Sequence, residues 1–329
     1  MEEFLRNYSL TVEEKEILSQ RPILENGDDS FFRVLNRANE IKDRCTSLMQ
    51  DPYCMMTATL ELLETVSKDE ENGYHRLFSW CQNECRLTGD RSYSLDSGNE
   101  NFLRLRRGLR TLQNKETYFN HCITEFVNNR RNLLTLYLSE NLPKWRQARP
   151  DDNPNQVISD LFTWLHEYMN EEKEGVRMLL LGQNVMEMTP PKNAQGNGTN
   201  LITSCMDVIF SGANKFVQEF LIPFFEDSTN LPQLFEVMQI LSFYESIVQS
   251  IISPESSLRS TLLSIEQTLW NRITSLFVTR VKHYFKLSPF VSSSFVGGGM
   301  ERKNSTTGLI GQNSIFTELL LLMRQCFDM

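Results

Sequence analysis

Hydrophobic positions recur every three to four residues along most of the chain, which is the period of an α-helix packed on one side. A clear example begins at Phe32, where apolar side chains follow helical spacing: Phe32, Leu35, Ile41, Cys45 and Leu48. No stretch of alternating apolar and polar residues between turn signals is convincing as a strand. The pattern therefore predicts an all-α fold.

Several predicted helices are long. Uninterrupted helical spacing runs from Lys115 to about Leu142 and from Ile158 to Leu181, whereas helices of compact globular proteins average about 11–12 residues. Another helical stretch, residues 56–81, contains Asn72-Gly73, where we expect an interruption. Helices of this length favour an elongated rod of consecutive antiparallel helical bundles, in which each helix buries one stripe against its neighbour.

Polar segments rich in Pro and Gly divide the chain. The strongest linker signal, residues 182–200, contains Pro190-Pro191 and Gly196-Asn197-Gly198. It separates a first helical-bundle region, residues 1–181, from a second, residues 201–329. Within the second region, the Ser- and Gly-rich residues 288–313 predict a loop, and Ser314 begins a last helix with an apolar face.

Composition and charge narrow the functional classes. The chain has 15 Gly and 11 Pro among 329 residues, about 8% against an average near 12%, which disfavours a turn-rich β fold. The net charge of -9 argues against general nucleic-acid binding, because phosphate affinity needs a positive surface. No apolar run approaches the ~18–20 residues of a membrane-spanning helix, and the first ten residues do not resemble a secretory signal.

The cysteines do not follow a disulfide framework. They are odd in number and irregularly spaced: Cys45, Cys54, Cys81, Cys85, Cys122, Cys205 and Cys326. This pattern predicts reduced thiols in the cytosol. Cys81 and Cys85 are one helical turn apart, but zinc needs three or four converging ligands. Core packing is the favoured interpretation, so neither a metal nor another cofactor is expected.

The sequence contains few of the residues and motifs on which enzymes rely. Only four histidines are present, and the chain has no His-Glu-x-x-His, Gly-x-Ser-x-Gly or phosphate-loop motif. Trp80 and Trp164 lie among leucines at helical spacing, which indicates core anchors. A non-enzymatic function is therefore favoured over an all-α metal-dependent enzyme.

An arginine cluster is the candidate contact site. It falls on two consecutive predicted helices and comprises Arg104, Arg106, Arg107, Arg110, Arg130 and Arg131. Such a cluster in an acidic chain can bind anionic lipid headgroups or an acidic partner helix. The alternative is a solvated helix face with local salt bridges, which has the same charge pattern.

Several sequence blocks follow one another in a distinctive order. They are Phe4-Leu5, Leu10-Thr11, Phe31-Phe32 with Leu35 and Ile41, the string Leu-Phe-Ser-Trp-Cys-Gln-Asn-Glu-Cys-Arg at 77–86, Glu125-Phe126 before Arg130-Arg131, and Asp-Leu-Phe-Thr-Trp-Leu-His at 160–166 followed by Glu172-Lys173-Glu174. Together they resemble the sixth-subunit family of the conserved oligomeric Golgi complex. The similarity is strongest over residues 3–181. Beyond residue 200 it rests mainly on helical pattern and order.

The resemblance implies a non-enzymatic subunit of a multisubunit vesicle-tethering complex, which acts in intra-Golgi retrograde transport and so maintains Golgi glycosylation. It also implies peripheral association with the cytosolic face of Golgi membranes. The implied partners are other subunits of the complex, SNAREs and Rab GTPases, without nucleic acid. Family members have a coiled coil before the matching region and continue beyond it, so we expect the middle part of the subunit, truncated at its C-terminus.

A second hypothesis does not depend on this resemblance. The chain would be an unrelated all-helical scaffold or adaptor, and its arginine cluster would bind acidic peptides or lipids. The two hypotheses differ in the expected partners rather than in the expected fold.

Overall fold

The computed structural model describes residues 7–23, 29–49, 56–147, 154–181 and 194–287. The regular structure in these ranges is helical, without a β-strand, which confirms the predicted all-α class. The helices are α1 (Val12–Ser19), α2 (Ser30–Leu48), α3 (Met56–Leu87), α4 (Glu100–Leu112), α5 (Glu116–Gln147), α6 (Pro154–Leu181), α7 (Ala194–Phe210), α8 (Asn214–Asp227), α9 (Leu231–Gln249) and α10 (Ser257–Leu287), with a 3₁₀ turn, Ser211–Ala213, between α7 and α8.

The helices are stacked largely in chain order. α1 and α2 pack on α3 at one end, and α3 packs on α4 and α5. In the middle, α5 contacts α7 while α6 contacts α9, and α8, α9 and α10 form the other end. One continuous hydrophobic cluster runs through the stack, as the predicted helical rod requires. Among the helices described, none has both the length and the apolarity to cross a bilayer.

A capping box joins local and tertiary structure at α1. The Glu14 amide donates to Thr11 Oγ1 at 3.3 Å, and the Thr11 amide donates to Glu14 Oε2 at 2.8 Å. These reciprocal bonds satisfy donors that the first helical turn leaves without partners. The other oxygen of Glu14 forms an ion pair with Arg37 of α2. Glu14, which helps to cap the first turn of α1, therefore also holds α1 against α2.

The predicted interruption at Asn72-Gly73 is wrong, because α3 continues through both residues. Gly73 faces α1 and α2: a Cβ there would lie 3.0 Å from Leu35 Cδ1 and 3.2 Å from Leu18 Cδ2. The glycine therefore allows two neighbouring helices to approach the α3 backbone. Tertiary packing outweighs its low helix propensity.

Helix boundaries also differ from the prediction around residue 200. α7 begins at Ala194, so its first turns occupy part of the predicted linker, while residues 182–193 lie outside the described ranges. The 3₁₀ turn separates α7 from α8, and α8 continues through Pro223 between the buried residues Leu221 and Phe225. Burial on both sides of the proline favours continuation of the helix.

The predicted division into two bundle regions stays a prediction. α5 and α6 of the first region contact α7 and α9 of the second. Both the predicted loop at 288–313 and the predicted helix from Ser314 lie outside the described residues.

Aromatic rings join α5, α6 and α7 at this junction. Trp164 and Tyr168 stack along α6 with ring centroids 5.4 Å apart. Tyr168 also meets Tyr137 of α5 at 6.0 Å and Phe210 of α7 at 6.1 Å, both edge to face. Such pairs contribute about 0.5–1.5 kcal/mol each beyond their burial. Trp164 is therefore part of a helix junction, as its predicted role of core anchor implies.

We predict that Gly108→Ala destabilises the fold even though alanine is the better helix former. A Cβ at Gly108 of α4 would lie 2.5 Å from Cys81 Sγ and 3.0 Å from Trp80 Cζ3 of α3. Overpacking costs about 1–3 kcal/mol, against a propensity gain of about 1 kcal/mol. Urea unfolding followed by circular dichroism measures the net loss.

The control is the same substitution in a Cys81→Ala background, where the nearest clashing atom is gone. The destabilisation by Gly108→Ala should be smaller there. Equal losses in both backgrounds would show that this contact is not the cause.

Candidate interaction surface

α4 carries four of the six predicted contact arginines and is anchored by its opposite face. Its apolar side is buried against the neighbouring helices through Phe102, Leu105, Leu109 and Leu112. The Asn99 side chain caps the helix by accepting from the Asn101 amide at 3.0 Å. Since one face is fixed in the core, Arg107 and Arg110 are directed toward the outer side of α4, where both are exposed.

Arg107 connects α4 to the start of α2. Its guanidinium lies over the Phe32 ring, 4.5 Å from the centroid, and it forms an ion pair with Asp29. A cation–π contact at an exposed site contributes about 0.5–1 kcal/mol. Arg107 thus combines an internal contact with partial exposure, and its charge is balanced in part by Asp29.

A shallow basic groove lies between α2 and α4. Arg107 and Arg110 line it together, in a cavity of about 300 Å³ that also includes Phe32, Asn36, Thr111 and Asn114. We call this feature the α2–α4 groove. Two guanidinium groups beside an aromatic ring and two amides form a surface suited to an acidic side chain or a phosphate oxygen. Of the predicted cluster, this is the part that the structure brings together at an opening.

Arg104 is engaged locally, and Arg106 is half-buried. Arg104 pairs with Glu100, one turn earlier, at 3.0 Å. Burial raises the pKa of the Glu84 carboxyl on α3, and the charge of Arg104 opposes that shift. These contacts match the alternative of a helix face with local salt bridges. Arg106 follows the buried Phe102 by one helical turn and is next to the groove residue Arg107 in sequence.

Arg130 does not lie on a surface. It is 7% exposed, and its Nε and Nη2 donate to Glu172 Oε1 and Oε2 at 2.7 and 2.5 Å. Its Nη1 donates to the Thr88 carbonyl at 2.9 Å. Desolvation by itself would lower the pKa of Arg130, but the hydrogen bonds and charge of Glu172 reverse this and raise it. Arg130 therefore belongs to the interior, where it joins α5, α6 and the α3–α4 connection.

Arg131 has a different environment from its neighbour. It is half-buried, and its stem contacts the 3₁₀ turn: a Cβ at Gly212 would lie 2.9 Å from Arg131 Cγ. The cluster predicted from sequence is thus separated into a groove on α4, an internal ion pair and a packing contact on α5. Sequence reasoning missed Glu172 as a partner because local spacing carries no signal for residues 42 positions apart.

The three cysteines of α3 and α5 form part of the core. Cys81, Cys85 and Cys122 are fully buried. Burial, followed by the neighbouring Cys122, raises the pKa of Cys81, and the hydrogen bond with Cys122, followed by burial, raises the pKa of Cys85. Within the described ranges, no group of three or more His, Cys, Asp or Glu residues is arranged to hold a metal. Thiols that stay protonated act as small apolar side chains.

Comparison with known sequences relates this helical chain to one protein family. Residues 56–293 match the family model described as Conserved Oligomeric Golgi complex subunit 6, C-terminal. Similar proteins named conserved oligomeric Golgi complex subunit 6 occur in Arabidopsis thaliana (25% identical, covering 88% of this chain and 43% of the relative), Drosophila melanogaster (26%, covering 80% and 40%) and Bos taurus (23%, covering 98% and 45%). The chain thus spans less than half the length of these relatives. No solved structure matches it.

The Arg130–Glu172 pair generates a stability prediction. Glu172→Gln leaves the buried guanidinium without its counter-charge, which costs about 3 kcal/mol or more. Glu174→Gln, two residues away on α6, removes an exposed partner of Arg177 and should cost less than about 1 kcal/mol. Chemical unfolding of both variants gives the comparison. Losses of similar size would mean that the buried pair has no special role.

Burial of the thiols generates a reactivity prediction. Desolvation raises the pKa of Cys205 to about 12, and the pKa values of Cys45, Cys81 and Cys85 are raised as well. Alkylation of these cysteines by iodoacetamide at pH 8 should be at least about tenfold slower in the folded chain than in urea. Peptide mass spectrometry measures each site. Rapid labelling of Cys85 in the folded chain would contradict the assigned burial.

Proposed function

Because this chain belongs to the conserved oligomeric Golgi complex subunit 6 family, we propose that it is a non-enzymatic component of a multisubunit vesicle tether. It acts in intra-Golgi retrograde transport, and its loss disturbs Golgi glycosylation. The observation that carries this proposal is the family match over residues 56–293. Since the chain spans less than half of its relatives, the activity of the whole subunit forms part of the proposal.

The stacked helices support a mechanical role. A helix of 32 residues such as α3 or α5 is about 48 Å long, and packed antiparallel neighbours resist bending. Such a stack holds partners at separate positions without chemistry of its own. Standard protein interfaces bury about 1,200–2,000 Å², an area that the sides of helices this long can supply.

The proposed partners are other subunits of the complex, with SNAREs and Rab GTPases contacting the assembled tether. The chain would attach peripherally to the cytosolic face of Golgi membranes through these partners. In this proposal the α2–α4 groove receives an acidic side chain of a partner helix or a lipid headgroup, with Arg107 and Arg110 as the recognition residues and Arg106 beside them. Arg104 pairs with Glu100 and so stabilises α4, the helix on which these arginines lie.

Co-purification tests the proposal. The affinity-tagged chain is expressed in cells, and captured proteins are quantified by mass spectrometry. We expect other subunits of the complex to be enriched well above an unrelated helical protein carrying the same tag. A folded, helical chain that captures none of them would contradict the assignment.

Charge reversal in the same experiment tests the groove. Arg107→Glu with Arg110→Glu changes both arginines that line the groove and should reduce capture of an acidic partner, whereas Lys215→Glu changes an exposed cation on α8 and should leave capture unchanged. If the double variant instead loses only binding to anionic liposomes while capture of subunits persists, the groove contacts lipid. Unchanged capture and unchanged liposome binding would remove the groove from the proposal.

A further inference from the structure

α10 carries two apolar stripes, whereas a helix packed on one side needs only one. The first stripe is buried and faces α8 and α9: Leu258, Leu262, Ile265, Leu269 and Ile273. The second includes Leu263 and Trp270, which are 45% and 46% exposed, and continues to the half-buried Phe277 and Val281. We call the second set the α10 outer stripe.

The outer stripe has the spacing of a helix-packing seam. Leu263, Trp270 and Phe277 are separated by seven residues each, so they lie in one line along the helix. The intervening seam positions are held by Gln267 and Thr274 before Val281. Single exposed apolar residues need no explanation, but large apolar residues that recur every seven residues on one side of a helix, even with polar residues between them, have the repeat of a helix-packing seam. The geometry of this line fits another helix.

The second half of α10 has little cover from the described fold. From Thr274 to His283 no described residue is buried. Arg280 donates to the Thr229 carbonyl at 2.8 Å, which keeps this part of α10 beside the α8–α9 connection. Leu276 and Phe277 are only partly buried there. The apolar surface of this half of the helix therefore exceeds what α8 and α9 cover.

The chain itself contains a segment of matching chemistry and length outside the described residues. In residues 314–329, helical spacing places eight apolar residues on one side: Ile315, Phe316, Leu319, Leu320, Leu322, Met323, Cys326 and Phe327. The other side would carry Thr317, Glu318, Leu321, Arg324, Gln325 and Asp328. Sixteen helical residues extend about 24 Å, and the stripe from Leu263 to Val281 extends about 27 Å.

The connection is long enough to bring the two together. α10 ends at Leu287, about 36 Å along the helix from Leu263. Residues 288–313 can span up to about 85 Å when extended. A tethered segment also competes well against free partners, because a short linker gives it an effective concentration in the millimolar range.

We propose that residues 314–329 form an amphipathic helix that docks along the α10 outer stripe and covers Leu263, Trp270 and Phe277. The occupant is thus this chain's own segment. The inference rests on α10 and the sequence after it, and it does not depend on the proposed function.

A photo-cross-link from the centre of the stripe tests the docking. Benzoylphenylalanine replaces Trp270 in the full chain, and the irradiated monomer is digested with trypsin. The expected product joins α10 to the peptide Asn304–Arg324 within one chain, at a yield independent of protein concentration. The same label at Thr268, an exposed position on another side of α10, should not give this product.

Two substitutions in the segment provide the matched comparison. Leu320→Glu places a charge on the apolar side and should lower the cross-link yield by about tenfold, since one buried leucine is worth about that factor in an equilibrium. Leu321→Glu makes the same change on the polar side and should leave the yield unchanged. Circular dichroism checks that both variants fold.

Other products identify other occupants and overturn the proposal. A covalent dimer whose yield rises with concentration would assign the stripe to a second copy of the chain. Cross-links to a different protein in a cell lysate, with none to Asn304–Arg324, would assign it to a partner. Cross-linked peptides from neither source, or equal yields in both glutamate variants, would leave the segment undocked.

Discussion

The buried pair of Arg130 and Glu172 is the constraint on which the middle of this structure depends. Two charges that are removed from water are stable only if they pair with each other and if hydrogen bonds satisfy their remaining polar atoms. Arg130 satisfies this requirement through three donors, two to Glu172 and one to the Thr88 carbonyl. The pair therefore fixes the relative position of α5, α6 and the α3–α4 connection. Burial raises the pKa of the nearby Tyr93 and Tyr168, so both remain neutral hydroxyls.

From this junction, close contacts between helices continue along the fold in both directions. Toward the start of the chain, Gly73 and Gly108 let the neighbouring helices approach closely. On α6, a Cβ at Gly175 would lie 2.7 Å from Leu95 Cβ, so the α3–α4 connection lies directly on the helix. Toward the other end, α5 and α6 pack on α7 and α9. A scaffold built this way depends on shape matching along its length rather than on one central site.

The sequence predicted the features that depend on local periodicity and failed where distant contacts decide. The stripe that starts at Phe32 and the long helices α5 and α6 follow from apolar spacing, and the strings at 77–86 and 160–166 indicated the family. The prediction at Gly73 was wrong because a glycine of low helix propensity can mark either the end of a helix or a place where a neighbouring helix packs closely. Arg130 was grouped with surface arginines because its charge shows in the sequence and its burial does not. The sequence predicted the positive charge of the α2–α4 groove but not its shape, since the shape depends on the packing of Phe32 against α4.

The aromatic contacts among Tyr137, Trp164, Tyr168 and Phe210 should give the folded chain a characteristic near-ultraviolet circular dichroism signal. Rings held in fixed mutual orientation, like Trp164 and Tyr168 with centroids 5.4 Å apart, produce near-ultraviolet dichroism that vanishes when packing loosens, while the far-ultraviolet helical signal persists. The chain therefore contains an intrinsic spectroscopic probe at the place where α5, α6 and α7 meet. Any loosening of the packing between these three helices would change this signal without an added label.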